Sequence, residues 1–289
     1  MPQLSATAAL AVRIRSDCFL KEQFIYSQKP FGHLVSPSLK KAGAAHLFTA
    51  KEGGVSTGVY SGFNFAAGSG NPPDKWENVV ENHRIAAEYL GLSAEDVCRS
   101  YQTHSSTVKT VGKAHRGTGL TKPPFDMGVD GLVCAEEGVL LSVRGADCVT
   151  VLLYDGKNRV CGACHSGWRG TLDKIAAKTA EAMCAIGAEK RHIVAAIGPS
   201  ARSCCYNVGE ELYETFTAAD PQNHRFFEKR DNGLYLDLQN AVCATLEEAG
   251  LMPQNIADGG ECSICRPDRY FSHRRSGVMR GTMAAFITL

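Results

Sequence analysis

The chain has 289 residues, with 31 Lys+Arg against 30 Asp+Glu and a formal net charge of +1. That balance argues against a nucleic-acid backbone or an anionic membrane surface as partner, since both call for a basic excess. Hydrophobic residues at 44% and charged residues at 21% describe a folded globular chain rather than a disordered one, and no uncharged apolar run approaches the roughly 18 residues of a membrane span.

In chain order, residues 5–12 are mildly apolar, but no basic segment leads into them, and Arg13 and Arg15 end the run. No secretory signal is read there, and a reducing, cytoplasmic setting is expected. Short Gly/Pro-rich stretches at 52–54, 68–73 and 122–124 read as loops. Helical periodicity covers 75–90, 171–187 and 236–249, the second with Leu172, Ile175, Ala176, Met183 and Ile186 on one face. Apolar runs at 131–134, 138–143, 149–154, 159–164, 193–197 and 283–288 read as buried strands. Strands and helices interleave without strict alternation, which predicts one layered α/β domain with a mixed sheet.

Three elements place reactive side chains at strand ends. The segment Arg144-Gly145-Ala146-Asp147-Cys148 lies between two buried strands, where a neighbouring cation or metal would hold Cys148 as the thiolate. His165-Ser166-Gly167-Trp168-Arg169-Gly170 closes another strand and opens a helix, whose first N–H groups would favour an anion. Tyr101-Gln102-Thr103-His104-Ser105-Ser106 is a polar step between apolar stretches. Together, His104, Cys148 and His165 would form a two-His, one-Cys site suited to Zn²⁺ or copper, with a fourth position open for catalysis. Without a metal, Cys148 could instead be a nucleophile, with either His as base and Asp147 as orienter.

Twelve Cys in this length are too sparse for a disulfide scaffold, and most sit in apolar runs as small hydrophobes. Two C-x-x-C pairs occur, Cys161/Cys164 and Cys262/Cys265. They lie too far apart for a zinc ribbon, and strand alternation would point Cys161 and Cys164 to opposite faces. Nine His with no His-x-His exclude the trinuclear copper cluster of a blue-copper oxidase. No G-x-G-x-x-G or P-loop is present. Gly53-Gly54-Val55-Ser56 reads as a plain turn with the capacity for an anion nest.

The blocks Gly53-Gly54-Val55-Ser56, Phe63-Asn64-Phe65, Glu81-Asn82, Gln102-Thr103-His104, Asp130-Gly131-Leu132-Val133, Ala146-Asp147-Cys148, His165-Ser166-Gly167-Trp168-Arg169-Gly170, Ile197-Gly198-Pro199-Ser200, Cys205-Tyr206-Asn207-Val208-Gly209 and Phe271-Ser272-His273-Arg274-Arg275 occur in one order. That series resembles the laccase-domain family, also called the YfiH-like polyphenol oxidoreductase or purine nucleoside phosphorylase family. The resemblance implies a catalytic domain over 46–289, with residues 1–45 as an N-terminal extension packed on it. It implies a metal held by His104, Cys148 and His165, with Zn²⁺ the expected ion and Cu²⁺ the alternative. It also implies phosphorolysis of adenosine, inosine and methylthioadenosine and deamination of adenosine, or alternatively copper-dependent oxidation of phenols.

Lys51, Asn64, Asp147 and Arg169 are the expected substrate and phosphate contacts. The expected partners are thus a purine nucleoside and phosphate, with phenols under the alternative, and the protein is expected as a monomer or small homo-oligomer. Lys51 stands where the family pattern has Arg, Gly145 where it has Thr, and Met279-Arg280-Gly281 departs from its Gly-Arg.

Overall fold

Strands that read as unbroken apolar runs are those covered on both faces, and the computed structural model, which describes residues 20–68 and 70–289, shows why there are so many. Two large mixed sheets lie face to face, and each carries helices on its outer side. The first sheet has seven strands, in spatial order Leu20–Lys21, Ile256–Asp258, Val194–Ile197, Val149–Asp155, Val160–Ser166, Gly131–Cys134 and Val108–Thr110. The second has six, in order Ile25–Ser27, His33–Val35, Ala45–Thr49, Met283–Thr288, Leu140–Gly145 and Val97–Arg99. A small antiparallel sheet joins Asn207–Val208, Gly233–Leu236 and Phe227–Arg230.

Alternation along each strand sends its side chains to different cores. In Val149–Asp155, Leu152 and Tyr154 enter the core between the sheets. Val149, Val151 and Leu153 enter the core under the helices Ile175–Ala185 and Leu238–Glu248. In Met283–Thr288, Ala285 and Ile287 face the inter-sheet core, whereas Ala284 and Phe286 pack with Ala86 and Ala87 of the helix Trp76–Tyr89. Cys161 and Cys164 divide the same way, one into each core of the first sheet.

The α/β class and the expected strands are all present, but one mixed sheet becomes two, because periodicity marks burial without saying which sheet a strand joins. The helix expected over 171–187 is also two, Trp168–Leu172 and Ile175–Ala185, broken where Lys174 takes a left-handed φ of 59°. The first piece is too short to offer the anion seat expected at its N-terminus. Residues 1–19, with Cys18 and the start of the expected N-terminal extension, lie outside the described residues. From residue 20 onward the chain is woven into both sheets: Leu20–Lys21 pairs with Ile256–Asp258, and His33–Val35 pairs with Ala45–Thr49. Among the described residues no helix is long and apolar enough to cross a membrane.

A candidate metal centre

The strand Leu140–Gly145 belongs to the six-stranded sheet and Val149–Asp155 to the seven-stranded one, so the turn between them crosses the seam between sheets. Asp147 bends that turn with a left-handed φ of 88°, a conformation costly for a residue with a Cβ and retained only where surroundings enforce it. The enforcement is visible. Its carboxylate accepts from Ser263 Oγ at 2.6 Å, Ser272 Oγ at 3.0 Å and the Arg274 backbone N–H at 2.6 Å. Its carbonyl accepts from the Ala201 N–H at 2.8 Å. The bend carries the partly exposed Cys148 to the mouth of the seam.

His104 comes from the loop 101–107, again with a positive φ, 62°. That loop is wrapped around one buried carboxylate. Asp130 Oδ2 accepts from the Thr103 and Ser105 N–H groups at 3.0 and 2.9 Å and from Ser105 Oγ at 2.8 Å. Its Oδ1 accepts from the His104 N–H at 3.2 Å and from His165 Nδ1–H at 2.8 Å. His165 is the last residue but one of the strand Val160–Ser166, so its ring is fixed by the sheet on one side and by Asp130 on the other. Burial opposes ionisation of Asp130, but its His165 contact and the loop donors outweigh that and hold the carboxyl at about 2.

With Nδ1 engaged, His165 presents Nε2 to the site. The ligand atoms of His104, Cys148 and His165 all lie within 4.8 Å of one another, with His104 Nε2 3.9 Å from Cys148 Sγ and the two imidazoles edge to face at 4.9 Å. Burial pushes the Cys148 thiol up, but the charge of His165 and the hydrogen bonds of both imidazoles outweigh it and bring it down to about 6. The same pairing, with the Asp130 bond, raises His165 against the effect of its burial.

Gly167 keeps this space open. A Cβ there would come within 3.0 Å of His104 Cδ2 and 3.1 Å of Cys148 Sγ. Two imidazole nitrogens and a thiolate facing a gap that a single methyl would fill fit a divalent ion of the zinc or copper class, and the carboxylate behind His165 is the usual outer support of such a ligand.

The remaining expected contacts divide. Asp147 stabilises the turn rather than a ring: it is not the partner of either His, and Asp130 does that work for His165. Arg169 is exposed, stacks on Trp168 at 4.1 Å, and pairs with no carboxylate among the described residues. Lys51 donates its ammonium to the Pro267 carbonyl. Asn64 is buried with its amide fully used: Nδ2 donates to Asp74 Oδ2 at 2.7 Å and the Ala66 carbonyl at 2.7 Å, and Oδ1 accepts from the Thr282 N–H at 2.8 Å.

The Gly53-Gly54 turn is pinned by Asn82, which accepts from the Val55 N–H at 2.9 Å. Two residues of the site have no role assigned by the sequence. Asp130 carries a signal, a lone carboxylate opening a fully buried strand. Arg280 is marked only by Met279-Arg280-Gly281, the departure from the family's Gly-Arg. Its guanidinium donates to Thr282 Oγ1 at 2.9 Å, its Nε is buried without a partner, and Asp147, Cys148 and Tyr60 lie within its electrostatic reach.

A mixed-sheet sandwich with a His–Cys–His group at the seam defines a metal-site α/β protein. Residues 45–289 match the family described as multi-copper polyphenol oxidoreductase laccase, and the chain belongs to that family. It is 35% identical over 250 residues to the mouse purine nucleoside phosphorylase LACC1, covering 84% of this chain and 55% of that one. It therefore spans about half the length of that relative. It is 37% identical to a purine nucleoside phosphorylase of Deinococcus radiodurans, with 84% and 88% of the two chains covered. It is 33% identical to adenosine deaminase RL5 of an unknown prokaryotic organism, over 77% and 85% of the two chains. The crystal structure of YlmD from Geobacillus stearothermophilus superposes with a TM-score of 0.80 at 31% identity, covering 92% of this chain and 98% of that one.

Proposed function

We propose that the chain is a metal-dependent purine nucleoside enzyme, splitting adenosine, inosine and methylthioadenosine with phosphate and deaminating adenosine, with Zn²⁺ at His104, Cys148 and His165. The observation that carries this reading is the convergence of those three side chains around the gap beside Gly167. The curated names of the relatives, purine nucleoside phosphorylase and adenosine deaminase, point to the substrate class.

Zinc held by these ligands would act as a Lewis acid on the substrate. The chain's own contribution is positional. Asp130 fixes the His165 tautomer so that Nε2 carries the lone pair, and the Ser263, Ser272 and Arg274 contacts hold Asp147 and so fix Cys148. Phosphorolysis needs an anion seat beside the ribose C1′ as the base departs. The unpaired Arg169 guanidinium and the Arg280 guanidinium supply the positive charge, and bidentate contact is the geometry arginine favours for phosphate. Lys51 has two further N–H donors beyond the one given to Pro267. Asn64 acts through the backbone by holding Thr282 beside Arg280.

The same donor set binds copper, and the family description names that metal. Metal-replete protein incubated with adenosine, with and without phosphate, distinguishes the readings. Adenine formed only with phosphate, together with inosine formed in either case, is expected. Absence of both products would overturn the proposal, and stoichiometric tightly bound copper with turnover of phenols would replace it by the oxidase reading.

A further inference from the structure

Four cysteines that none of the chemistry above uses meet on the far side of Asp147. We infer that Cys204, Cys205, Cys262 and Cys265 form a second metal site, a tetrathiolate centre for Zn²⁺. Their sulfurs all lie within 4.8 Å of one another, with Cys265 Sγ 3.5 Å from Cys204 and 3.3 Å from Cys205. Four thiolates around a tetrahedral zinc, each about 2.3 Å from the metal, stand about 3.8 Å apart. The observed spacing therefore needs only small side-chain adjustments.

The fold builds this cluster deliberately. Val194–Ile197 and Ile256–Asp258 are parallel neighbours, so the segments that follow them leave the sheet side by side. They stay zipped beyond its edge, with the Ser263 N–H donating to the Ser200 carbonyl at 3.0 Å and a parallel bridge between Ser200 and Cys262. The first segment then turns at 202–205, closed by the Cys205 and Tyr206 N–H groups on the Arg202 carbonyl at 2.9 and 2.8 Å. The second forms the Cys262-Ser263-Ile264-Cys265 knuckle, whose spacing is that of a zinc finger half-site. Arg275 clamps the knuckle by donating to the Ser263 and Ile264 carbonyls at 3.2 and 3.0 Å.

Packing does not explain these thiols. Cys204 and Cys265 are exposed, Cys205 is partly so, and only Cys262 is buried, the reverse of cysteines that serve as core hydrophobes. The nearby carboxylates are committed elsewhere: Asp258 to Arg202, Glu261 to Arg269, and Asp268 to Arg266. With each of those carboxylates balanced by an arginine, no unpaired acid among them opposes the negative charge of a tetrathiolate around a divalent ion. Loading would release the thiol protons and lock the two segments together. Since Ser263 within the knuckle donates to Asp147, the second metal would steady the turn that presents Cys148.

The test is the metal content of His104→Ala/Cys148→Ala protein, purified without chelator, by elemental analysis and X-ray absorption. One zinc per chain with an all-sulfur shell of four is expected. Cys262→Ser/Cys265→Ser, in the otherwise intact chain, should lose that equivalent and keep the one with mixed nitrogen and sulfur ligands. A double variant without metal whose thiol count shows all four cysteines free would overturn the inference. So would a mass 2 Da low under non-reducing conditions, which would show a disulfide in place of the metal. Cobalt titration of the unmodified chain gives a reading that no variant's folding can blur: two equivalents bound, one with tetrathiolate charge-transfer intensity, against a single equivalent if the cluster binds nothing.

Discussion

Asp130→Asn changes one atom in a buried carboxylate that organises two of the three ligands. The substituted amide has one acceptor and one donor end. If the NH₂ faced the Oδ2 position it would confront three donors, from Thr103 and Ser105. The amide therefore turns its NH₂ toward the Oδ1 position, where it meets only the His104 N–H and His165 Nδ1. His165 can accept there, but only by moving its proton to Nε2, the atom that must bind metal. Metal binding then works against the tautomer, a loss of about 10–100-fold in affinity, or about 1.4–2.7 kcal/mol. The His104 N–H is left facing a donor in a buried position, which costs the metal-free protein about 1–3 kcal/mol. Competition with a chelator of known affinity reads the first quantity, and urea unfolding of the apo form reads the second. Zinc affinity within threefold of the parent, at unchanged stability, would refute the assignment of Asp130 as the orienting group.

In metal-stripped protein, Cys148 should alkylate with a rate that rises with pH through about 6 and levels above it, because its thiolate is the reactive species. Mass mapping should find it shielded again after zinc is restored, while Cys98 and Cys164, which burial pushes up to about 12, stay unmodified at neutral pH. Gly167→Ala should lose at least tenfold in metal affinity by the same chelator competition with little change in unfolding midpoint, since its Cβ would press on His104 and Cys148 rather than on a core. Asn82→Ala removes the acceptor of the Val55 N–H and the donor to Ser56 and the Asn64 carbonyl; a loss of about 2–4 kcal/mol is expected by chemical denaturation. Arg280→Ala should raise the phosphate KM of phosphorolysis severalfold and leave phosphate-free deamination less affected, and equal effects on both would remove Arg280 from the anion seat.

The parts legible in the sequence were those written in a single segment. The helices expected at 75–90 and 236–249 appear as Trp76–Tyr89 and Leu238–Glu248, because an amphipathic stripe is a local property. The buried strands were legible for the same reason, whereas Val108–Thr110, Asn207–Val208 and Phe227–Arg230 are short and partly exposed, so no apolar run marks them. His104, Cys148 and His165 are legible as a group because each sits at the end of an apolar run beside a Gly or polar step. The four-cysteine cluster was not legible. The two C-x-x-C motifs do not pair, since Cys161 and Cys164 point to opposite faces of one strand, as alternation predicts. The true partners of Cys262 and Cys265 are vicinal residues whose proximity depends on which strands lie parallel. Asp130 has no role legible in its own segment because its function lies in donors from another loop.

The strand Met283–Thr288 lies at the centre of the six-stranded sheet, hydrogen-bonded to Ala45–Thr49 on one side and Leu140–Gly145 on the other. On the ribosome, nearly the whole described chain must therefore emerge before that sheet can close, and the turn bearing Cys148 hangs from one of the strands left waiting. Such long-range closure is slow and leaves sheet edges open to other chains. An arrested chain lacking residues 283–288 should expose the Leu140–Gly145 edge and recruit holding chaperones.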